Sequence, residues 1–145
     1  MAIDITINYW AVVVAALAAM VLGALWYSPL LFGTQWMRLM KIDAKKMAQM
    51  KSDPVMKKKV NQSYALMFLG VLVTSFVLAH FVNYVQAITI VDGLLLGFWV
   101  WLGFMAPLLL GGVLWEEKPW ALYFLNVSYQ LVMLLIVAVI LTVWR

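Results

Sequence analysis

The most chemically informative residues of this chain are polar side chains that interrupt otherwise apolar stretches. One group places four of them within five positions: Asn126, Ser128, Tyr129 and Gln130. A similar group is formed by Asn61, Ser63 and Tyr64. Amides and hydroxyls donate and accept hydrogen bonds without carrying a fixed charge. They suit a cavity for a neutral or zwitterionic ligand, or hydrogen bonds between helices, and the sequence leaves both interpretations open.

Residues for catalysis or metal binding are scarce in the same stretches. They contain no Asp, Glu, Lys or Arg, His80 is the only histidine, and the chain has no cysteine. An enzyme needs acids, bases or nucleophiles that converge on one site, and a metal needs several ligands at suitable spacing. We therefore predict that the protein is not an enzyme and has no cofactor and no metal site.

Composition identifies the elements that must carry these polar groups. The 145 residues are 67% hydrophobic and 11% charged, whereas a soluble domain has roughly a quarter of its residues charged. Four runs lack any charge: Ile5 to Met37, Val60 to Val91, Gly93 to Trp115 and Pro119 to Trp144. Each is long enough for one membrane-crossing helix of about 20 residues, and none alternates as a barrel strand does.

The predicted fold is therefore all-α, a polytopic membrane protein with one domain over residues 1–145. Its four transmembrane helices are predicted at about 8–32, 63–85, 93–115 and 119–144, and a basic loop at 33–62.

Charge predicts the orientation. Eight of the ten Lys and Arg residues lie between Arg38 and Lys59, and the N-terminal segment carries Asp4 without a basic side chain. Because basic loops stay cytoplasmic, we predict this loop inside and both termini outside, in a multi-pass protein of the plasma membrane.

The first loop has a helical pattern of its own. Between Trp36 and Lys51, Met and Ala side chains recur on one arc and basic side chains on the other. This pattern is typical of an amphipathic helix that lies in the membrane interface. The residues predicted to contact anionic lipid are Arg38, Lys41, Lys45, Lys57, Lys58 and Lys59. The alternative is a solvated linker that only sets topology.

Ser52-Asp53-Pro54 predicts a helix restart, with Asp53 as the N-cap and Pro54 at the first helical position.

Small residues recur in the first and third spans. Candidate helix-packing positions are Ala15, Ala19, Gly23, Gly93 and Gly97, since small side chains let helices approach closely in lipid. These stripes predict a homo-oligomer, a dimer first and a trimer second.

Pro29 and Pro107 predict kinks or helix ends. Trp26, Tyr27 and Trp36 are typical of an aromatic belt at the headgroups.

Several strings resemble a known family. LGALWYSPLLFG at residues 22–33 with Trp36, WLGFMAP at residues 101–107, Asn126 with Tyr129, and the final Val143-Trp144-Arg145 are similar to the domain of unknown function 1761 family of small integral membrane proteins. The resemblance covers nearly the whole chain. It implies four spans and no particular activity.

The two halves of the chain also resemble each other in sequence. SPLLFG at residues 28–33 matches APLLLG at 106–111, and NQSYAL at 61–66 matches NVSYQL at 126–131. The order is the same in both halves, which predicts two parallel helix-hairpin repeats about an axis along the membrane normal. In that arrangement the two polar groups meet at the cytoplasmic end.

Two function classes remain. We predict a non-catalytic membrane module that binds membrane lipids, anionic on the cytoplasmic side, or partner helices, and that does not bind nucleic acid. The alternative is a small uncoupled carrier or permeation protein for a neutral or zwitterionic solute, because charged groups for coupling are missing from the spans.

Overall fold

The computed structural model describes residues 5–145, so Asp4 lies outside the described residues. The helical segments are α1 (Tyr9–Trp26), α2 (Gly33–Leu39), α3 (Ala44–Ser52), α4 (Pro54–Tyr84), α5 (Ile90–Val100), a π-helical turn (Trp101–Met105), α6 (Ala106–Leu114) and α7 (Trp120–Val143). The third span is the continuous helix from α5 to α6. Together with α1, α4 and α7 it makes four helices long and apolar enough to cross a membrane. The predicted all-α fold with four such helices is confirmed.

The first span is shorter than predicted. Its start is capped by Asn8, whose side chain accepts hydrogen bonds from two backbone N–H groups of the first turn. It ends at Trp26 rather than Phe32, because a helix usually ends before a proline and Pro29 follows. Its 18 residues extend about 27 Å at 1.5 Å per residue, close to the thickness of the bilayer core. Pro29, where a kink or helix end was predicted, lies in the turn that follows α1.

A tight turn then reverses the chain into α2. The backbone N–H of Gly33 donates to the Ser28 carbonyl over 2.8 Å. A Cβ atom at position 33 would lie 2.5 Å from backbone atoms of Tyr27 and Ser28, so only glycine fits there.

The first loop forms two helices where one was predicted. Lys41 adopts a left-handed conformation with φ 56°, and Asp43 caps α3 by accepting from the Lys46 N–H over 2.7 Å. The residues of the predicted apolar arc are therefore divided. Trp36 and Met37 lie in α2, Met40 follows its end, and Ala44, Met47 and Ala48 lie in α3. Helix α3 packs against α4, and we name α3 with residues 54–62 of α4 the basic hairpin.

The restart after Ser52 is confirmed. The Asp53 side chain accepts from the Val55 N–H over 2.9 Å, and Pro54 is the first residue of α4. Helix α4 has 31 residues, about 46 Å at 1.5 Å per residue, so it exceeds a bilayer core. Its buried residues begin only at Val71, which leaves the first half of α4 outside the packed bundle.

The third span is irregular just before its proline. Thr89 and Asp92 form a capping box at its start, as a carboxylate at a helix N-terminus predicts. A π-helical turn precedes Pro107, and within it the Ala106 N–H donates to the Trp101 carbonyl five residues earlier. Pro107 offers no N–H to the regular α-helical pattern, and the wider turn accommodates the irregularity. At Pro107, where a kink or helix end was predicted, the structure has this local π-helical turn within a continuous span.

Helix α7 is the central element. It packs against α1, α4 and α5, while α1 also packs on α4. Leu134, Val137 and Ala138 of α7 are fully buried among residues of α1 and α4, including Ala15 and Leu78. The core therefore lies along α7.

The small-residue stripes are used inside one chain. Ala15 and Ala19 are buried completely. A Cβ on Gly97 would lie 2.8 Å from the Leu134 carbonyl oxygen, and one on Gly93 would lie 2.9 Å from Thr142 Oγ1. These contacts join helices of a single chain, so the stripes lend no support to the homo-oligomer, which stays a prediction.

The helix contacts do not follow the predicted repeat symmetry. A two-fold axis that exchanges α1 with α5 and α4 with α7 would pair the α1–α7 contact with an equivalent α4–α5 contact. Within residues 5–145, α1 packs closely on α7 whereas α4 and α5 have no comparable contact. The central position of α7 has no counterpart in α4, half of which lies outside the packed bundle.

Candidate functional site

The two ends of the bundle differ in their chemistry. We name the end that carries α2, α3 and the turn at residues 116–118 the basic end, and the end with the turn at residues 85–89 the opposite end. The polar residues that the sequence singles out in α7 lie in the half nearer the basic end, so the candidate site is there.

Asn126 is bonded to the end of the first span. The Tyr27 hydroxyl donates to Asn126 Oδ1 over 2.8 Å. The Tyr27 ring also contacts Trp36 edge-on, with ring centroids 5.7 Å apart. One tyrosine thus joins the turn after α1 to both α2 and α7.

Tyr129 continues this contact one turn deeper. Its ring lies edge-on to Tyr27 at 5.3 Å, and its hydroxyl donates to the Ala19 carbonyl over 3.4 Å. A Cβ on Gly23 would lie 3.0 Å from that hydroxyl. Gly23 therefore makes room for Tyr129, which connects a predicted packing residue to a predicted polar one.

Two further side chains of this region were not among the predicted site residues. Trp101 Nε1 donates to the Val127 carbonyl over 2.8 Å, and the Tyr123 hydroxyl donates to the Ala106 carbonyl over 3.0 Å. Both bonds join the irregular third span to α7. Tyr123 precedes Asn126 by three residues, and this helical spacing is the signal in the sequence that could have revealed it.

The predicted meeting of the two polar groups is wrong for this chain. Asn61, Ser63 and Tyr64 are exposed, and the Ser63 hydroxyl donates to the Lys59 carbonyl of its own helix. They lie on the part of α4 outside the packed bundle, so Asn126 bonds to Tyr27 instead. Gln130 is half-buried and Ser128 is exposed.

A groove of about 430 Å³ opens between α2 and the start of α7. Its lining combines polar and apolar side chains from three segments of the chain: Trp26, Phe32, Gln35, Arg38, Leu39, Ala121, Phe124, Leu125 and Ser128. The Trp26 ring contacts Phe32 at 4.8 Å and Tyr129 at 6.1 Å. Trp26 therefore lies between the groove and the half-buried Tyr129.

A smaller cavity of about 180 Å³ lies between α6 and α7. Asn126 and Tyr123 line it together with Glu116 and Lys118, which form an ion pair with each other. Its charged groups are thus paired, unlike Arg38 in the groove.

The basic side chains of the first loop are exposed and unpaired. Arg38, Lys41 and Lys45 are exposed, as are Lys57, Lys58 and Lys59. In the described part of the chain no ion pair involves any of them. The two acidic residues of this segment, Asp43 and Asp53, cap helices. The end of the bundle therefore carries a concentrated positive charge.

This architecture defines the class of protein: a small all-helical chain with four helices long and apolar enough to span a membrane. A family model described as protein of unknown function (DUF1761) matches residues 10–142. The chain belongs to this family, as its sequence strings predicted. Neither the comparison with curated proteins nor the comparison with solved structures finds a match.

Proposed function

We propose that this protein is a non-catalytic membrane module that gathers anionic phospholipids around its basic end. The observation that carries the proposal is the set of exposed, unpaired basic side chains on α2 and the basic hairpin. Each Lys or Arg near an anionic membrane surface contributes about 1 kcal/mol of attraction.

The proposal includes an orientation. The basic end faces the cytoplasm of a plasma membrane, and both termini lie outside, because basic loops are retained inside. The length of α4 supports this arrangement, since its first residues extend beyond the bilayer core and hold the lysines near the headgroups.

Lipid retention tests the proposal. The protein is placed in nanodiscs of equal phosphatidylglycerol and phosphatidylcholine, and the ratio of the two lipids retained on mild extraction is measured by native mass spectrometry. The variant with Lys57→Gln, Lys58→Gln and Lys59→Gln is expected to lower the anionic excess at least several-fold, because each neutralised lysine removes about 1 kcal/mol of attraction, a factor of about five.

Lys118→Gln is the control, since Lys118 is already paired with Glu116 and its loss should leave the ratio unchanged. High salt should reduce the excess for the unmodified protein, because salt screens exposed charges. An equal ratio for the triple variant and the unmodified protein would overturn the proposal and leave topology as the role of the basic loop.

The carrier and the homo-oligomer stay predictions. Both cavities described above lie at the basic end, while the opposite half is packed through alanine and glycine. Solute flux into proteoliposomes tests the carrier. Mass measurement in nanodiscs tests the oligomer.

A further inference from the structure

The groove between α2 and α7 differs from an ordinary lipid-facing surface because both helices contribute polar as well as apolar side chains to its lining. Arg38, Gln35 and Ser128 supply the polar groups, and Leu39, Phe124 and Leu125 are among the apolar ones. Its volume of about 430 Å³ is within the range of about 300 to 1,000 Å³ that is usual for small-molecule sites.

Two of its hydrogen-bonding side chains, Arg38 and Trp26, are donors only. Arg38 has no acidic partner within residues 5–145. The indole nitrogen of Trp26 is buried without an acceptor among the described residues. A buried N–H with no acceptor is costly, and Trp26 lines the groove, so a ligand oxygen that reached this N–H would relieve that cost.

We propose that this groove binds the phosphodiester headgroup of one anionic phospholipid, with Arg38 as the principal contact. The guanidinium presents a planar fork of N–H groups that matches phosphate oxygens. Gln35 and Ser128 donate to the remaining oxygens of the headgroup. The inference rests on the proposed function and specifies one ligand and its residues within it.

The apolar wall favours a lipid over free phosphate. Phe124 is 60% exposed and Leu39 is half-buried beside it in the groove lining. Inorganic phosphate leaves these side chains unused, whereas a phospholipid covers them with its glycerol and the first part of its acyl chains. Burial of apolar surface and a charge-assisted hydrogen bond then act on the same molecule.

Binding of the first lipid tests the inference. Phosphatidylglycerol is titrated into the full-length protein in neutral detergent, and native mass spectrometry gives the Kd of the single-lipid complex. Arg38→Gln is expected to raise this Kd about tenfold, as for a lost charge-assisted hydrogen bond. The Kd of the Arg38→Lys variant should lie between those of the unmodified protein and the Arg38→Gln variant, because lysine keeps the positive charge and loses the planar fork of N–H groups. Ser128→Ala should raise the Kd about threefold, as for one neutral hydrogen bond.

Lys41→Gln is the matched control. Lys41 is exposed and lies three residues from Arg38, but it does not line the groove, so its loss should change the Kd by less than about twofold. The triple lysine variant should also leave this Kd nearly unchanged, although it lowers the general anionic excess in nanodiscs. This difference separates the groove from the basic hairpin.

Three results would overturn the inference. The first is that Arg38→Gln and Lys41→Gln change the first-lipid Kd equally. The second is a Kd for phosphatidylglycerol that is no lower than that for phosphatidylcholine, and the third is displacement of the lipid by inorganic phosphate at a similar concentration. The last result would assign the groove to free phosphate. None of them alters the nanodisc ratio that decides the proposed function.

Discussion

Toward the opposite end of the bundle the helices approach most closely at alanine and glycine, whereas at the basic end tyrosine and tryptophan lie between them. Ala15 is completely buried, and the Gly97 backbone lies directly against that of Leu134. In the basic half, Tyr27 and Tyr129 connect α1 and α7 through ring contacts and hydrogen bonds.

The difference shows how one chain separates stability from the capacity to bind. Lipid is as apolar as a leucine side chain, so helices in a membrane associate by close packing and hydrogen bonds. Small residues allow close packing that leaves no space between helices. Large aromatic residues hold helices apart and supply hydrogen bonds, and the groove and the smaller cavity both lie beside them.

The largest effect is expected from Gly97→Ala. The new Cβ would meet the Leu134 carbonyl oxygen at 2.8 Å, and because backbone atoms have no room to move, α5 must shift away from α7. Overpacking of this kind costs about 1–3 kcal/mol. Titration with SDS in detergent micelles, followed by tryptophan fluorescence, measures the loss.

Gly103→Ala is the matched control in the same span. No atom lies within 4 Å of a Cβ at that position, so its stability should equal or slightly exceed that of the unmodified protein. Equal stability of the two variants would show that α5 and α7 lie farther apart at Gly97 than the structure places them.

A smaller effect is expected from Tyr27→Phe, which keeps the ring and removes the 2.8 Å hydrogen bond to Asn126. A hydrogen bond between membrane helices contributes about 0.6 kcal/mol and at most about 1.7 kcal/mol. Tyr129→Phe should cost less, because its bond to Ala19 is longer at 3.4 Å. The same SDS titration ranks them, and the reverse order would mean that Tyr129 is the stronger link at the basic end.

The smallest effect is expected from Ser75→Ala, in the tightly packed half. Ser75 is completely buried, and its hydroxyl has no hydrogen-bond partner in the described structure. Removing an unsatisfied buried hydroxyl should leave stability unchanged or raise it by up to about 1 kcal/mol. Thr142→Val is the comparison, since the Thr142 hydroxyl is bonded to the Ala138 carbonyl. A clear loss with Ser75→Ala would reveal a partner for this hydroxyl.

Local features of the chain were predictable from the sequence. The four spans follow from apolar runs between charges, because a helix that crosses a bilayer needs about 20 apolar residues and little else. Asp53 caps the helix that follows it, and Asp92 completes the capping box with Thr89 in the first turn of its own helix, because both arrangements depend on a side chain and the backbone a few residues away.

The tertiary structure decided which polar group meets which. The sequence alone shows that Asn126 lies in an apolar helix, where its side-chain amide requires a hydrogen-bond partner. The partner is Tyr27, 99 residues away, rather than the polar group of α4. The polar residues of α4 precede the part of that helix that packs in the bundle, whereas α7 lies at the centre of the bundle. A helix that is apolar on all sides carries little information about its own rotation, so only packing could place Arg38, Trp26 and Ser128 around one groove.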